Sequence, residues 1–380
     1  MNIPTINWPD LFAQRTRHMK RSAIRELLRH TARPGMISFA GGLPAPELFP
    51  VHEMREASAA ILKEHPVTAL QYGETEGIAG LRDWVANRFS ESGLRLSRAN
   101  VLIVSGAQQG LDLLGRVLLN PGDAVAVDNP TYLALLSAWR PLEPRFVAGI
   151  DSTTAKVIYT VPNFQNPQGT TLDLDQRKKV IAHARTNGAA LIEDDPYREL
   201  LYEGELPPSL LTLDGGQNVV YVSTFSKVLA PGLRVGWVIG HETLIEKLVQ
   251  AKQGMDLHTS TFTQLLALEL LRRGIYERQV PRLRETYRQR RDAMLQALES
   301  CFPAEATWTR PAGGMFLMVH LPPGLNAAEL LTRCLEKNVA FVPGEEFHLH
   351  GEGKNTLRLN FSNATPERIT EGIRRIAGLI

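Results

Sequence analysis

One lysine lies in a short polar segment that directly follows an apolar run. The segment extends from Ser223 to Lys227, carries three hydroxyl side chains and comes after the apolar residues 219–222. Arg234 follows Lys227 by seven positions. A lysine at a strand end, flanked by hydroxyl groups, is better suited to a covalent bond with an aldehyde than to a solvated surface. The segment therefore predicts a reactive amine at Lys227.

The composition is that of an ordinary globular protein. The chain has 380 residues, of which 43% are hydrophobic and 22% are charged. A chain of this length predicts two domains and a large core that needs no disulfide or metal. The formal net charge of +2 leaves no cationic excess for a polyanion. Nucleic acid is therefore not an expected partner.

Cysteine usage and hydropathy predict a cytoplasmic protein. Cys301 and Cys334 have neither metal-ligand nor redox spacing, which is typical of small apolar residues in a reducing compartment. No apolar run reaches the roughly 18 residues of a membrane span. The N-terminus, with Pro4 and Asp10, lacks the apolar centre of a secretory peptide. We expect no membrane partner, and no metal site, because His348 and His350 lack partners at metal-ligand spacing.

Short apolar runs alternate with helical patterns through the middle of the chain. The predicted buried strands are 101–104, 124–127, 156–161, 189–192, 219–222 and 235–239. The helices predicted between them and next to them are 109–119, 175–186 and 243–253. This alternation predicts an α/β fold with a mostly parallel sheet and helices on both faces.

The two ends of the chain predict a smaller α+β unit and an N-terminal arm. Helices are expected at 22–30, 55–63, 79–89, 276–300, 327–337 and 366–379, and strands at 315–321, 339–342 and 356–361. The basic run from Arg278 to Arg291 is interspersed with acidic residues, which predicts a solvated helix face. We divide the chain into an arm and helix at 1–40 that join the small domain, a large domain at 41–275 and a small domain at 276–380.

Polar residues follow five predicted strands at the point where each strand ends. In an open α/β sheet, ligands bind beyond the carboxyl ends of the strands. These polar segments begin at Ser105, Asp128, Asn163, Asp194 and Ser223. Together they predict one binding site at this edge of the sheet.

Several of these segments resemble those of one enzyme family. The residues that carry the resemblance are Asn166 to Gly169, Asp194 to Tyr197, Thr224 to Lys227 with Arg234, and Asn355 to Leu359. In this order they are similar to fold-type I aminotransferases of class I and II, which depend on pyridoxal 5'-phosphate. The resemblance covers nearly the whole chain and implies a large domain with a seven-stranded, mostly parallel sheet.

Two N-terminal segments narrow the resemblance to a subgroup. Residues 38–44 and 71–73 are similar to the 2-aminoadipate and kynurenine aminotransferases, a subgroup that includes aromatic and branched-chain enzymes. Residues 251–254 and 256–258 favour its bacterial, lysine-biosynthetic branch. The implied substrates are an L-amino acid and a 2-oxo acid, with 2-oxoglutarate as the expected shared acceptor in a ping-pong exchange.

The resemblance implies a role for each residue around the cofactor ring. Lys227 would hold the cofactor covalently and, once freed by substrate, would carry a proton between the substrate α-carbon and the cofactor carbon. Asp194 would pair with the pyridine nitrogen, Tyr197 and Asn166 would contact the phenolic oxygen, and Tyr132 would stack on the ring. The structural alternatives are a surface lysine, a helix N-cap at Asp194, a bare Asn-Pro turn at Asn166 and simple packing at Tyr132.

The implied phosphate site combines a helix N-terminus with hydroxyl groups and an arginine. Free backbone N–H groups and the helix dipole at such a start favour an anion. The expected phosphate-binding residues are Gly106, Ala107, Gln108, Thr224, Ser226 and Arg234. Tyr72 resembles a tyrosine that this family supplies across a dimer interface, which implies a homodimer; its alternative is a structural loop aromatic.

The implied substrate site contains two arginines. Arg358 resembles the arginine that binds the α-carboxylate, because its planar fork matches a carboxylate. Asn166 and Gly42 complete this part of the site. Arg25, on the N-terminal helix, could contact a distal carboxylate. For both arginines the alternative is a side chain that points into solvent.

Two other functions remain open at this point. A lyase, decarboxylase or cyclising synthase of the same fold would show the same cofactor residues. A transcription regulator with an aminotransferase-like domain is less expected, because only about 40 residues precede Gly41. The segment 147–155 is shorter than is usual in the subgroup, from which we infer the loss of one helix without effect on the cofactor residues. The amino donor is not determined by these motifs.

Overall fold

The computed structural model describes residues 5–19, 21, 27, 33–89, 93–151 and 155–380. The helix predicted at 22–30 falls outside these residues except for Leu27, and Arg25 also falls outside them. The described helices, in chain order, are α1 (Trp8–Leu11), α2 (Val51–Glu64), α3 (Pro66–Leu70), α4 (Ala79–Asn87), α5 (Ala107–Leu118), α6 (Leu133–Trp139), α7 (Leu174–Asn187), α8 (Leu210–Asp214), α9 (Glu242–Gln253), α10 (Thr261–Arg272), α11 (Ile275–Cys301), α12 (Ala327–Glu336) and α13 (Pro366–Ala377).

The strands belong to one large sheet and two small ones. In chain order the described strands are β1 (Ile37–Ser38), β2 (Val101–Val104), β3 (Ala124–Val127), β4 (Arg145–Ala148), β5 (Val157–Thr160), β6 (Ala190–Asp194), β7 (Val219–Thr224), β8 (Gly236–Ile239), β9 (Thr307–Trp308), β10 (Phe316–His320), β11 (Val339–Ala340), β12 (Val342–Pro343) and β13 (Thr356–Asn360). Within the described residues the large sheet has seven strands in the order β2-β8-β7-β6-β5-β3-β4.

The large sheet is mostly parallel, as the sequence predicts. Strands β4, β3, β5, β6 and β7 pair in parallel, and β8 is antiparallel to both β7 and β2. Every residue of β2, β3, β5, β7 and β8 is buried. Helix α5 packs on β2, β7 and β8, while α4, α7 and α8 pack on β2, β6 and β7 respectively. Continuous apolar strands form here because helices keep both faces of the sheet from water.

The small sheet positions one arginine of the predicted site. Strands β12, β13, β10 and β9 form an antiparallel sheet, and Arg358 lies in the middle of β13. The long helix α11 packs on α13. Strand β1 pairs with β11, which attaches the start of the chain to this C-terminal part.

Several details of the fold differ from the sequence predictions. The single strand expected at 339–342 is two strands, because the chain changes partner at Phe341 from β1 to β13. Strand β4 was not predicted, since it is an edge strand with exposed ends rather than a buried apolar run. Helices α6 and α10 were not predicted either, and most of their residues are buried, so they lack a polar stripe.

The basic face of α11 is only partly solvated. Arg290 and Arg291 are both 5% exposed, contrary to the solvated face predicted for the whole run. Arg290 donates to the carbonyl of Ser362, and Arg291 pairs with Glu203 at 2.6 Å. They are buried because they connect α11 to neighbouring loops. Among the described residues, no helix is both long enough and apolar enough to cross a bilayer.

Candidate active site

A cavity of about 990 Å³ lies at the carboxyl ends of the strands of the large sheet. Most residues predicted for the site line this cavity. They are Gly42, Ala107, Gln108, Tyr132, Asn166, Asp194, Tyr197, Thr224, Ser226, Lys227, Arg234 and Arg358. The cavity therefore unites residues that are as much as 316 positions apart in sequence, between Gly42 and Arg358.

Lys227 ends a 3₁₀ turn that begins directly after β7. Thr224 caps this turn by accepting a hydrogen bond from the backbone N–H of Ser226. The Lys227 Nζ donates to the carbonyl of Gly42 at 3.0 Å. Burial lowers the pKa of Lys227 to about 8, and the positive charges of Arg358 and Arg234 contribute to this change. A substantial fraction of the amine is therefore neutral and nucleophilic near neutral pH.

Asp194 is the last residue of β6 and faces the cavity with one unpaired oxygen. Its Oδ2 accepts a hydrogen bond of 2.7 Å from the hydroxyl of Tyr159, whereas its Oδ1 is buried and has no partner among the described residues. Burial raises the pKa of Asp194 to about 7, although the bond from Tyr159 opposes this. A buried oxygen without a donor is costly and marks a position where a ligand donor would be stabilised.

Asp195 contacts different residues from Asp194. Its Oδ2 accepts from the hydroxyl of Tyr221 at 3.3 Å and lies 3.8 Å from Arg198, and Asp195 does not line the cavity. Successive side chains at a strand end point to opposite sides. The geometry therefore favours Asp194, as the resemblance implies.

Arg358 is almost fully buried and does not point into solvent. It is 1% exposed, and its guanidinium lies between the rings of Phe316 and Phe347, at 4.3 Å and 4.9 Å from their centroids. Nη1 donates to Asn166 at 2.8 Å and Nη2 donates to the carbonyl of Ala40. Nε has no partner among the described residues. Burial lowers the pKa of Arg358 to about 10, so it stays charged at neutral pH.

Tyr197 lies on the same side of the cavity as Asn166 and Arg358. Burial raises the pKa of Tyr197, and a hydrogen bond with Asn166 opposes the rise. Asn166 therefore contacts both Tyr197 and Arg358, which fixes its amide. Tyr132, at the N-cap of α6, also lines the cavity.

The N-terminus of α5 and Arg234 form the opposite end of the cavity. The N-cap Gly106 has φ 82°, and no side chain caps the helix. Arg234 Nη2 donates to the carbonyl of Ser105 at 3.1 Å, and a Cβ on Gly106 would lie 2.4 Å from this Nη2. The hydroxyl groups of Thr224 and Ser226 are 2.8 Å apart. Uncapped N–H groups, two hydroxyls and one guanidinium are together suited to a phosphate.

Among the predicted residues that the structure describes, Gly106 and Tyr72 do not line this cavity, although Gly106 directly precedes the lining residue Ala107. Tyr72 is 79% exposed and lies edge-on to the ring of His258, at 5.8 Å between centroids. Arg25 lies outside the described residues.

Tyr159, Phe316 and Phe347 contact site residues but were not predicted, because no motif marks them. The only signal for Tyr159 was a tyrosine within a predicted apolar strand.

These polar groups fit pyridoxal phosphate. Asp194 Oδ1 can accept from a protonated pyridine nitrogen, the N-terminus of α5 with Arg234 can bind the phosphate, and the Lys227 amine can bind the aldehyde. The unpartnered Nε of Arg358 is one free donor for a carboxylate. The donors and acceptors thus correspond to the cofactor at each of its polar positions.

A fold-type I sheet with this lysine and carboxylate defines a pyridoxal-phosphate enzyme. The chain belongs to the aminotransferases of class I and II, whose family model matches residues 36–376. It is 44% identical to the 2-aminoadipate transaminase of Thermus thermophilus, over 98% of this chain and 96% of that one. It is 41% identical to the aromatic-amino-acid aminotransferase 1 of Thermococcus litoralis, over 100% of this chain and 96% of that one.

A solved structure has the same fold. LysN, the alpha-aminoadipate aminotransferase of Thermus thermophilus, was crystallised with N-(5'-phosphopyridoxyl)-L-leucine and matches with a TM-score of 0.91 and 42% identity. The match covers 98% of each chain. The ligand in that structure joins the cofactor to an amino acid. Pyridoxal phosphate is accordingly the cofactor of the family to which this chain belongs.

Proposed function

We propose that the chain transfers the amino group of an L-amino acid to a 2-oxo acid by a ping-pong mechanism. The amino donor is 2-aminoadipate, an aromatic or a branched-chain amino acid, and 2-oxoglutarate is the shared acceptor. Relatives named for 2-aminoadipate and aromatic amino acids support this range of donors. The main observation that supports the proposal is that Lys227, Asp194 and Arg358 line one cavity. The cavity therefore combines an amine, a carboxylate and a guanidinium group that can bind the carboxylate of a substrate.

Arg358 and Lys227 act on different parts of the amino acid. Arg358 binds the α-carboxylate, and the rings of Phe316 and Phe347 keep its guanidinium in place. This contact places the Cα–H near Lys227 Nζ, which accepts the proton from the α-carbon and would deliver it to the aldehyde carbon of the cofactor. The lowered pKa of Lys227 makes its neutral form accessible for this step.

Asp194, Tyr197 and Asn166 stabilise the charge that the reaction moves. Bound pyridoxal phosphate supplies an electron sink for the pair left on the α-carbon. The Asp194 carboxylate would keep a proton on the ring nitrogen. Tyr197 and Asn166 would donate to the phenolic oxygen, and Tyr132 would pack on the ring. Gly106, Ala107, Gln108, Thr224, Ser226 and Arg234 would bind the phosphate.

A direct experiment tests the assignment of Lys227. The protein is incubated with pyridoxal phosphate, reduced with borohydride and digested, and the peptides are analysed by mass spectrometry. We expect the phosphopyridoxyl mass on the peptide that contains Lys227, and no visible absorbance band in Lys227→Ala. Lys156→Met removes a lysine that pairs with Asp123 at 2.6 Å and does not line the cavity, and it should keep the label on Lys227. Label on a different lysine would contradict the proposal.

The reaction type is tested by the acceptor. The amino acids named above are each supplied with and without 2-oxoglutarate, and the formation of keto acid is measured. The value of kcat/KM is then determined for each amino donor. Keto acid that forms in stoichiometric amount without acceptor and catalytically with it supports aminotransfer. Turnover without acceptor, with release of carbon dioxide or ammonia, would indicate the decarboxylase or lyase alternative.

We also propose a homodimer in which Tyr72 completes the site of the partner. Tyr72 is 79% exposed, and near it in sequence Val67 and Leu70 are 76% and 74% exposed. Exposed apolar side chains of this kind are typical of an interface.

Protomers with Tyr72→Ala and with Lys227→Ala are unfolded together and refolded as a mixture. In a dimer with a shared site, about a quarter of the wild-type sites should return, because half of the dimers are mixed. No recovery would contradict the shared site.

The domain division and the location of the protein remain proposals. Pairing of β1 with β11 supports an arm at 1–40 that joins a small domain at 276–380, and the large sheet lies within 41–275. The cytoplasmic location is proposed from the spacing of Cys301 and Cys334 in the sequence, and both are free thiols in the structure.

A further inference from the structure

An ion pair between a buried lysine and a partly exposed aspartate lies behind the phosphate end of the cavity. Lys252, in the last turn of α9, is 0% exposed, and its Nζ donates to both oxygens of Asp256 at 2.7 and 3.0 Å. Burial lowers the pKa of Lys252. Burial opposes the ionisation of Asp256 as well, but bonds from Lys252, Gln109 and Ser105 lower its pKa. Because the Lys252 ammonium is buried, removing the charge of Asp256 leaves a buried charge without a partner.

The ion pair is connected to the first turn of α5 and to the residue before Gly106 by three side-chain bonds. Gln109 Nε2 donates to Asp256 Oδ2 at 2.6 Å, and Lys252 Nζ donates to Gln109 Oε1 at 2.8 Å. Ser105 Oγ donates to Asp256 Oδ2 at 3.0 Å. Both charged groups are thus fixed to residues on either side of Gly106.

The same residues fix the backbone that faces the cavity. The N–H of Ser105 donates to Gln109 Oε1 at 2.7 Å, and its carbonyl accepts from Arg234 Nη2 at 3.1 Å. Ser105 is therefore bound through its N–H, its hydroxyl and its carbonyl. Arg234 and the N–H groups that follow Gly106 are the groups assigned above to the phosphate. Their orientation depends on Ser105, and the orientation of Ser105 depends on Asp256.

We propose that Lys252 and Asp256 are positioning residues for the cofactor phosphate. They contact neither cofactor nor substrate; they orient Ser105, and through it the start of α5 and the guanidinium of Arg234. This inference rests on the phosphate site proposed above. It predicts an effect limited to ligands that carry the phosphate, because the groups that face the pyridine ring are held by other bonds.

The test compares pyridoxal phosphate with pyridoxal, which lacks the phosphate. Dissociation constants of both compounds are measured with the full-length apoprotein for wild type and Asp256→Asn. The amide presents a donor to Gln109 and no charge to Lys252. We expect affinity for pyridoxal phosphate to fall about tenfold or more, and affinity for pyridoxal to stay within about twofold. An equal loss for both ligands, or no loss, would overturn the proposal.

The control removes the charge of another aspartate that pairs with a cation, accepts several hydrogen bonds and does not line the cavity. Asp214 is fully buried at its side chain, pairs with Arg185 at 2.7 Å and accepts from the N–H groups of 217–219. Asp214→Asn should lower thermal stability without altering the preference for the phosphorylated ligand. If Asp214→Asn altered this preference as much as Asp256→Asn, the effect would be one of general stability and the proposal would fail.

A milder variant covers the case in which Asp256→Asn does not fold. Ser105→Ala removes one donor to Asp256 and leaves the ion pair intact, and it should lower the preference for pyridoxal phosphate about threefold. An unchanged preference would overturn the proposal. Wild type that binds both compounds equally would instead contradict the phosphate site itself, so the two failures are distinguishable.

Discussion

Tyr159 donates its hydroxyl to one oxygen of Asp194 at 2.7 Å, and the other oxygen is buried without a partner among the described residues. The two residues lie on neighbouring parallel strands, β5 and β6. The bond fixes the carboxylate plane, and it opposes the rise that burial causes in the pKa of Asp194. Tyr159 thereby favours the ionised carboxylate that a protonated pyridine nitrogen requires.

We predict that Tyr159→Phe weakens cofactor binding in a pH-dependent way. Asp194 has its pKa raised to about 7, so the ionised carboxylate is present above this pH and is lost below it. Removing the tyrosine bond raises the pKa of Asp194 further. The pH below which affinity for pyridoxal phosphate falls should therefore move up by about half a unit to one unit. Titration of the cofactor into apoprotein across this pH range measures it.

A second buried tyrosine provides the control for this prediction. Tyr221→Phe removes the hydroxyl that bonds Asp195, at 3.3 Å, and leaves the Tyr159 bond in place. Its pH dependence should match that of wild type. If both variants moved the pH dependence equally, the effect would come from the buried charge as a whole rather than from the Asp194 bond.

This pair of residues shows what the sequence could and could not predict. Asp194 was predictable because it follows an apolar run and precedes Tyr197 by three positions. Tyr159 was not, because its contact depends on the register of β5 and β6, in which Tyr159 pairs with Ile192. Register is a property of two distant segments and cannot be read from either one.

The fold shows the same distinction. Buried strands were predictable because continuous apolar runs carry their own signal, and β2 and β3 have the predicted bounds. The antiparallel placement of β8 beside β2 was not predictable, since its residues are as apolar as those of the parallel strands. Edge strand β4 and the buried helix α10 lack the periodicity on which such predictions depend.

We predict that covalent capture of the cofactor by Lys227 accelerates with pH and levels off above about pH 8. The neutral amine is the nucleophile, and burial together with Arg358 and Arg234 lowers the pKa of Lys227 to about 8. About a tenth of the amine is then neutral at pH 7, roughly three hundred times more than at the ordinary pKa. Stopped-flow absorbance at several pH values measures the midpoint.

The effect of Arg358 on this midpoint is a further check. The positive charge of Arg358 lowers the pKa of Lys227. Arg358→Gln should therefore raise this pKa and move the midpoint of capture to higher pH. Gln289→Ala, an exposed substitution on α11, should leave it unchanged. A wild-type midpoint near the ordinary lysine pKa would contradict the lowered value.

We predict that Arg358→Lys selectively impairs amino acids. Lysine keeps the charge but cannot bond Asn166, the Ala40 carbonyl and a carboxylate in one plane. Loss of the bidentate contact should lower kcat/KM for α-amino acids about a hundredfold to a thousandfold. The half-reaction with an amine that lacks the α-carboxylate should change little. A similar loss for both donors would show that Arg358 acts on the cofactor site rather than on the carboxylate.

We predict that Gly106→Ala lowers affinity for pyridoxal phosphate by displacing Arg234. Gly106 has φ 82°, and an added Cβ would lie 2.4 Å from Arg234 Nη2 and 2.8 Å from its Cζ, so the guanidinium must move away from the start of α5. Gly122 has φ 84° with no atom near an added Cβ, so Gly122→Ala places an alanine at a similar positive φ without the contact. Both variants should lose about 1–2 kcal/mol of stability from the strained backbone. Only Gly106→Ala should also weaken the phosphorylated cofactor about tenfold or more in equilibrium titration. Equal affinities in the two variants would mean that the arginine does not bind the phosphate.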